Sequence, residues 1–279
     1  ATRIPHDPGD PLLNIWLLWW NARAVPFTQA WWNPPIFFPM PGALALSEHL
    51  AGLAPLTTPV QWLGASPLAA YNTAFILSFA LSGFFTFLLV RRLLREGPVA
   101  PAVLAALTSG LIYGFGPYRA GQLAHLQVLT SQWMPLALLA LHGYVEDGRR
   151  RWLALLAAAW LLQAFSNGYY LFFFPVLLGA WLVWFVEWRR PPARGWMLAA
   201  TLGAASAALV PALLTYARVH GTLGMGRTEG EMVRFSATPG ALFKASGLLR
   251  FWPTVPAATT EEFLFPGVTG VLLVAAGRT

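Results

Sequence analysis

The residues whose types and spacing could do chemistry lie near the start of the chain, around Asp10. With Asp7, this short run holds two of only eleven acidic residues. A helix turns about 100° per residue, which places Asp10, Asn14 and Asn21 within about 40° of one another as a polar stripe. Two acids can bind a divalent cation such as Mg²⁺ or Mn²⁺, one acid can act as general base, and Asn14 could contact the substrate. Alternatively, Asp10 only caps the helix that begins at Pro11.

Glu48 and His49 form a second candidate group, later in the same N-terminal segment. Glu48 could assist Asp10 as a second catalytic acid, or the two carboxylates could together bind a metal ion. His49 could contact the substrate beside them. The alternative is that Ser47 and Glu48 start a helix and that His49 is only the polar edge of an interfacial segment.

Arg119, Gln122 and His125 form a third candidate group, and they follow a long apolar run. A guanidinium binds phosphate through two charge-assisted hydrogen bonds, so Arg119 and His125 could face an anionic lipid phosphate, with Gln122 beside them. The alternative is that Tyr118 and Arg119 simply anchor a helix at the lipid headgroups.

The composition indicates a membrane protein. The chain is 57% hydrophobic and 10% charged, with a mean hydropathy of +0.55, whereas a soluble domain carries about 25% charged residues. Its apolar runs are continuous, which indicates spanning helices, because spanning strands would alternate apolar and polar residues. Arginines in short loops account for much of the net charge of +7, and this topological pattern argues against nucleic acid as a partner. The chain has no cysteine, which excludes disulfides and thiol chemistry.

These patterns predict an all-α, polytopic transmembrane helical bundle with a large first extracytoplasmic loop. Residues 1–66 form this loop, where repeated prolines permit only short helices, expected at about 10–24 and 47–53. Three tryptophans in the first of these helices suit it to lie in the plane of the bilayer interface: Trp16, Trp19 and Trp20.

Six spans are predicted within residues 67–216, followed by a second extracytoplasmic loop at 217–264 and the start of a further transmembrane helix at 265–279. The six are expected at 68–90, 99–115, 126–145, 152–165, 169–188 and 196–216. Arginine-rich short loops follow the first, third and fifth spans, which puts those ends in the cytoplasm and both long loops outside. We therefore expect a multi-pass protein of the cytoplasmic (inner) membrane, and we interpret the chain as a fragment that lacks a leading membrane helix.

The predicted span interiors contain almost no ionisable residues. A lipid or polysaccharide transporter or flippase, which is one alternative, would need such groups near the middle of the membrane. The candidate acids, arginine and histidines instead gather at the outer surface, which favours surface chemistry on a lipid-linked substrate. A second alternative is a non-catalytic membrane subunit, in which Asp10, Glu48 and Arg119 would point away from one another.

Two short runs in the first loop resemble a known family. The run Gly-Asp-Pro-Leu-Leu-Asn at 9–14 resembles the Asp-Pro-x-x-Asn run in the first loop of oligosaccharyltransferase catalytic subunits. Trp-Asn-Pro at 32–34, followed by Pro-Gly at 41–42, resembles the first loop of bacterial membrane proteins implicated in glycosylating cell-envelope polymers. In architecture and motif the chain thus resembles the GT-C superfamily of integral-membrane glycosyltransferases, which use polyprenyl-phosphate donors. The resemblance implies that Asp10 is the first-loop acid, although the chain lacks a clear Asp-x-Asp or Asp-Glu pair.

The resemblance and the residues together predict an enzyme that moves a sugar from a polyprenyl-phosphate carrier to a cell-envelope glycan or lipid acceptor, on the extracytoplasmic face. Asp10 would be the general base or a metal ligand, assisted by Asp7 or Glu48. Arg119 and His125 would hold the carrier phosphate, because positive charge eases its departure. Apart from the divalent cation no cofactor is expected, since the sequence has no Walker loop, dinucleotide fingerprint or Cys/His zinc spacing.

Overall fold

The structure is a computed structural model that describes residues 8–185, 192–252, 257 and 259–276. Over these residues the chain forms helices, turns and irregular segments with no β-strand, which confirms the all-α prediction. The α-helices in chain order are α1 (Gly9–Asn21), α2 (Gln29–Trp32), α3 (Ala54–Trp62), α4 (Pro67–Leu93), α5 (Val99–Phe115), α6 (Pro117–Gly121), α7 (Leu126–Leu129), α8 (Trp133–Asp147), α9 (Arg150–Ala164), α10 (Gly168–Phe185), α11 (Pro192–Ala207), α12 (Val210–Leu223), α13 (Glu229–Arg234) and α14 (Val268–Ala276). Short 3₁₀ helices lie at Ala43–Leu46, Ala51–Leu53, Pro239–Phe243 and Thr260–Glu262.

Helix α1 begins at Gly9, and its N-cap residue is Pro8. Asp10 is the second residue of the helix, in its first turn, so the interpretation of Asp10 as the N-cap residue is wrong. The polar stripe on α1 faces the protein, with Asn14 and Asn21 buried beside Leu17 and Leu18.

The helix predicted at 47–53 is replaced by extended chain between two 3₁₀ turns, followed by α3, which the sequence did not predict. Leu50 has a φ of 53°, a left-handed conformation that a helix cannot contain. Helix α3 starts at Ala54, and Pro55 falls in its first turn, where a missing N–H does no harm.

Four helical segments are long and apolar enough to cross a membrane, among the residues that the structure describes. The chain is therefore a multi-pass membrane protein. The four are α4, α5 continued by α6 (Val99–Gly121), α10, and α11 continued by α12 (Arg194–Leu223).

The third and fourth predicted spans correspond to α8 and α9, which have 15 residues each. At 1.5 Å per residue each helix is about 22 Å long, shorter than the roughly 30 Å hydrocarbon core. A break at 130–132 separates α7 from α8 and shortens the predicted third span. The division into a six-span region and flanking loops stays a prediction.

Helix α4 is central to the packing. It contacts α5 through small residues, since a Cβ at Gly114 would lie 3.0 Å from the backbone of Gly83. One apolar cluster joins α4 to α8, α9, α10 and α11, and a second joins α4 to the N-terminal segment, including Leu18, Trp31 and Leu53. The N-terminal segment is thus fastened to one end of the bundle, where the candidate residues lie.

Candidate functional site

The side chain of Gln127, in α7, links the two polar residues of the first turns of α1. Its Nε2 donates a 2.9 Å hydrogen bond to Oδ2 of Asp10, and its Oε1 accepts a 2.9 Å hydrogen bond from Nδ2 of Asn14. Asp10 and Asn14 lie one turn apart on the same face of α1, so one amide can bond both. Asn14 is 4% exposed, whereas the side chain of Asp10 is 46% exposed and open to a ligand.

His125 stands beside Asp10, with 3.7 Å between its Nε2 and Oδ2 of Asp10. Its Nδ1 lies 2.8 Å from Oε1 of Gln122, and because this oxygen can only accept, Nδ1 carries the hydrogen. The Nε2 side of the ring therefore faces the carboxylate of Asp10. The structure thus brings together three sequence-predicted residues, Asp10, Gln122 and His125.

These residues line a cavity of about 390 Å³. Its walls come from α1, the 118–128 region, the start of α10 and the second long loop. The lining residues are Asp10, Tyr118, Gln122, His125, Gln127, Val128, Asn167, Tyr169, Tyr170, Phe173, Arg227, Phe235 and Glu261. The cavity is large enough for a sugar phosphate.

Glu48 and His49 line a neighbouring cavity of about 540 Å³, between the N-terminal segment, α10 and α12. Asn167, Tyr169 and Arg227 line both cavities. Nη2 of Arg227 lies 3.5 Å from the hydroxyl of Tyr169, so this pair stands at the boundary between the two spaces. Glu48 is therefore not in the cavity of Asp10 but next to it.

His49 is 5% exposed and sits among aromatic rings, including Trp31, Phe165 and Tyr216. Burial lowers the pKa of His49 to about 3, so the ring is neutral at physiological pH. Its Nδ1 accepts a 3.1 Å hydrogen bond from the backbone N–H of Ala51, which helps to fix the chain after the extended segment. A cationic role for His49 does not fit this environment.

Asn21, at the end of the polar stripe on α1, fixes the position of the N-terminal segment around His49. Its Nδ2 donates a 2.7 Å hydrogen bond to the carbonyl of His49, and its Oδ1 accepts a 3.0 Å hydrogen bond from Nε1 of Trp31. The predicted stripe is thus partly an anchor for the N-terminal segment, and only its Asp10 end reaches open space.

Arg119 is separated from His125. It lines a third cavity, of about 460 Å³, and is 5% exposed. Its Nη1 and Nη2 donate hydrogen bonds to Oγ of Ser131 and of Ser78, at 3.1 and 3.3 Å. Tyr118, Val128 and Tyr170 line both this cavity and that of Asp10, so the two spaces share a wall.

No group of three or more His, Cys, Asp or Glu side chains in the described part of the chain could hold a metal ion. Asp10 and Glu48 line different cavities, and Oδ2 of Asp10 is already bonded to Gln127. These donors do not form the oxygen-rich set that Mg²⁺ or Mn²⁺ prefers. Asp7 lies outside the described residues, and the predicted cation stays a prediction.

Four residues that the sequence reasoning missed shape the site: Gln127, Asn167, Tyr169 and Arg227. Asn167 holds α10 in place, because its Nδ2 donates to the carbonyl of Gln127 at 3.0 Å and its Oδ1 accepts from the N–H of Tyr170. The tight Ser-Asn-Gly connection at 166–168 was the available signal for Asn167. Neutral Gln127 and a loop arginine carry no distinguishing pattern in a single sequence.

One family model matches residues 52–279, and its description is "Domain of unknown function (DUF6311)". The matched range includes His125, Gln127 and Arg227 and begins after Asp10 and Glu48. No curated protein and no solved structure matches the chain.

Proposed function

The chain belongs to the DUF6311 family, and we propose that this membrane protein is a glycosyltransferase that moves a sugar from a polyprenyl-phosphate carrier to a cell-envelope glycan or lipid acceptor. The observation that carries the proposal is the half-exposed carboxylate of Asp10, which is fixed by Gln127 at an open cavity that also contains His125 and Arg227. The resemblance of the first loop to GT-C glycosyltransferases supports the same reading.

Asp10 acts in this proposal as the general base. The acceptor hydroxyl attacks the anomeric carbon of the sugar and gives its proton to the carboxylate of Asp10 as the new C–O bond forms. Gln127 donates to Oδ2 and so holds the carboxylate in one orientation.

The carrier phosphate leaves with the electron pair of the broken C–O bond, and its negative charge increases as it leaves. Arg227, at the boundary of the two cavities, is the cationic group that we assign to this charge, and His125 is a further polar contact for the phosphate in the cavity of Asp10. The acceptor extends from its hydroxyl at Asp10 into the larger cavity, where Glu48, Tyr216 and His220 offer polar contacts among apolar side chains. The catalytic face is assigned to the extracytoplasmic side of the cytoplasmic membrane, following the arginine pattern of the short loops.

One observation favours a second candidate, a non-catalytic membrane subunit. Asp10, Glu48 and Arg119 line three different cavities, as expected if they do not act on one substrate. In that case the Asp10–Gln127 bond only fastens α1 to α7.

The test is a transfer assay in proteoliposomes with a panel of polyprenyl-phosphate sugars and an envelope-extract acceptor. The variant is Asp10→Asn, whose amide oxygen can still accept from Gln127, so the fold should be kept. We expect transfer to fall by about 100-fold or more, as for loss of a general base, with an unchanged melting temperature. The matched control is Glu96→Gln, at a carboxylate that is 89% exposed and lies after α4. Full activity of Asp10→Asn, or no transfer by the unsubstituted protein from any donor, would overturn the proposal.

A further inference from the structure

The cavity at Arg119, which we call the groove, is lined mostly by apolar surface. It lies between α5 and α14, and the start of α10 closes one side. Its wall on α5 runs from Ser109 through Ile112 to Gly116, and its wall on α14 includes Leu273 and Val274. The wall from Ser109 to Gly116 corresponds to about 10 Å along α5, and Arg119 follows in α6, so a cation stands beyond one end of this wall.

The partners of Arg119 in the described part of the chain are neutral. Its two hydrogen bonds go to the hydroxyls of Ser131 and Ser78, and its guanidinium lies 4.4 Å from the centre of the ring of Phe79. The Nε atom is buried without a hydrogen-bond partner, and among the described residues no carboxylate lies within 4.0 Å of this side chain. A buried charge without a counter-charge is strongly unfavourable, so an anion that reached Arg119 would be bound tightly.

Two tyrosine hydroxyls that line the groove already have hydrogen-bond partners. The hydroxyl of Tyr113 donates to the carbonyl of Ser131 at 3.1 Å, and that of Tyr170 donates to the carbonyl of Val128 at 2.7 Å. Both hydroxyl hydrogens are therefore engaged.

The position of Arg119 in its helix suits a lipid ligand. Arg119 lies two residues before the end of the candidate span Val99–Gly121, and the ends of spanning helices lie near the lipid headgroups. From there the groove follows α5 toward the hydrocarbon, where Leu273 and Val274 of α14 are exposed. A phosphate at Arg119 would therefore have its hydrocarbon chain directed along an apolar wall.

We propose that this groove binds one anionic lipid, with a phosphate group on Arg119 and a hydrocarbon chain between α5 and α14. This site is distinct from the cavity of Asp10, on the other side of the wall formed by Tyr118, Val128 and Tyr170, and it does not depend on the glycosyltransferase proposal. A membrane phospholipid and a polyprenyl phosphate share the required chemistry.

Native mass spectrometry of the detergent-purified chain tests the site. The probes are phosphatidylglycerol, a polyprenyl phosphate, phosphatidylcholine, oleate and inorganic phosphate. Arg119→Gln removes the charge, with Arg218→Gln on the exposed face of α12 as its control. Gly270→Leu fills the groove without touching Arg119, since a Cβ at Gly270 would meet only Ile112, at 3.9 Å. Its control is Gly179→Leu, where a Cβ would meet nothing within 4 Å.

We expect phosphatidylglycerol or polyprenyl phosphate to bind with one-to-one stoichiometry, and about tenfold more weakly to both Arg119→Gln and Gly270→Leu than to the two controls. Whichever of these two phosphate lipids binds with the higher affinity identifies the source of the ligand. Gly270→Leu keeps the test decisive if Arg119→Gln fails to fold, because it leaves the guanidinium and its serine partners in place. Equal binding of phosphatidylcholine, retention of oleate or inorganic phosphate alone, or unchanged binding by Gly270→Leu would overturn the proposal.

Discussion

Gln127 donates a 2.9 Å hydrogen bond to Asp10 across 117 positions of sequence. The same side chain accepts from the buried amide of Asn14, so a single residue of α7 fastens the first turns of α1. This connection holds the N-terminal segment against the bundle and sets the position of the candidate base.

The first prediction concerns the stability that Gln127 provides. Gln127→Leu leaves the buried amide of Asn14 without its acceptor, and an unsatisfied buried group costs about 1–3 kcal/mol. We expect a lower free energy of unfolding by that amount, measured by denaturant titration in detergent, while exposed Gln29→Leu changes it by less than about 0.5 kcal/mol. A double-mutant cycle with Asn14→Leu should give a coupling energy of at least about 0.5 kcal/mol, and strict additivity would argue against the bond.

The second prediction concerns the pH dependence of stability. Burial lowers the pKa of His49 to about 3, below the value of about 6.5 in the unfolded chain. Protons therefore bind the unfolded state more strongly, so the contribution of His49 is complete above about pH 6.5 and decreases as the pH falls toward 3. At pH 5 the loss should be about 2 kcal/mol, because the pH is about 1.5 units below the unfolded pKa.

His49→Gln keeps an acceptor for the N–H of Ala51 but does not titrate. Its unfolding free energy should therefore depend less on pH between 7.5 and 5 than that of the unsubstituted protein, and the difference isolates His49 from the other groups. Parallel pH profiles for the two proteins would show that His49 is not buried in its neutral form.

The third prediction concerns the close approach of Gly52 to the end of α9. The N–H of Gly52 donates to the carbonyl of Phe165 at 3.0 Å, and a Cβ here would collide with the carbonyl oxygen of Leu162 and with Oγ of Ser166. Gly52→Ala should lower the free energy of unfolding by about 1–3 kcal/mol, as overpacking does. Gly203→Ala is the matched control in α11, where a Cβ meets nothing within 4 Å and should stabilise the helix slightly. Equal stability of the two variants would contradict the tight contact.

The fourth prediction follows from the proposed transfer reaction. Arg227→Gln should lower kcat/KM for the polyprenyl-phosphate donor by about 10- to 100-fold, because the guanidinium balances the charge of the leaving phosphate. Arg227→Lys should lose less, since it keeps the charge but not the paired hydrogen bonds. The exposed Arg218→Gln on α12 should be unaffected, and an equal effect at both positions would point to general surface charge instead.

Much of the fold followed from local patterns. Apolar runs predicted the helices that correspond to α4, α5 and α10, because spanning a bilayer requires about 20 consecutive apolar residues. The breaks between α7 and α8, and between α11 and α12, were missed, since the apolar pattern continues through both. The left-handed Leu50 was also missed, because it is fixed by its surroundings and not by its own preference.

The sequence by itself determined that the chain is an α-helical membrane protein and that Asp10, Asn14 and Asn21 share one face of a helix. Both conclusions depend only on composition and on the helical repeat, which are local properties. Only the tertiary structure decided that Asp10 meets Gln127 and His125, that Glu48 lies in the next cavity, and that Arg119 is enclosed among serines. These outcomes depend on how helices far apart in sequence pack, and one sequence contains no pattern that records which side chains that packing brings into contact.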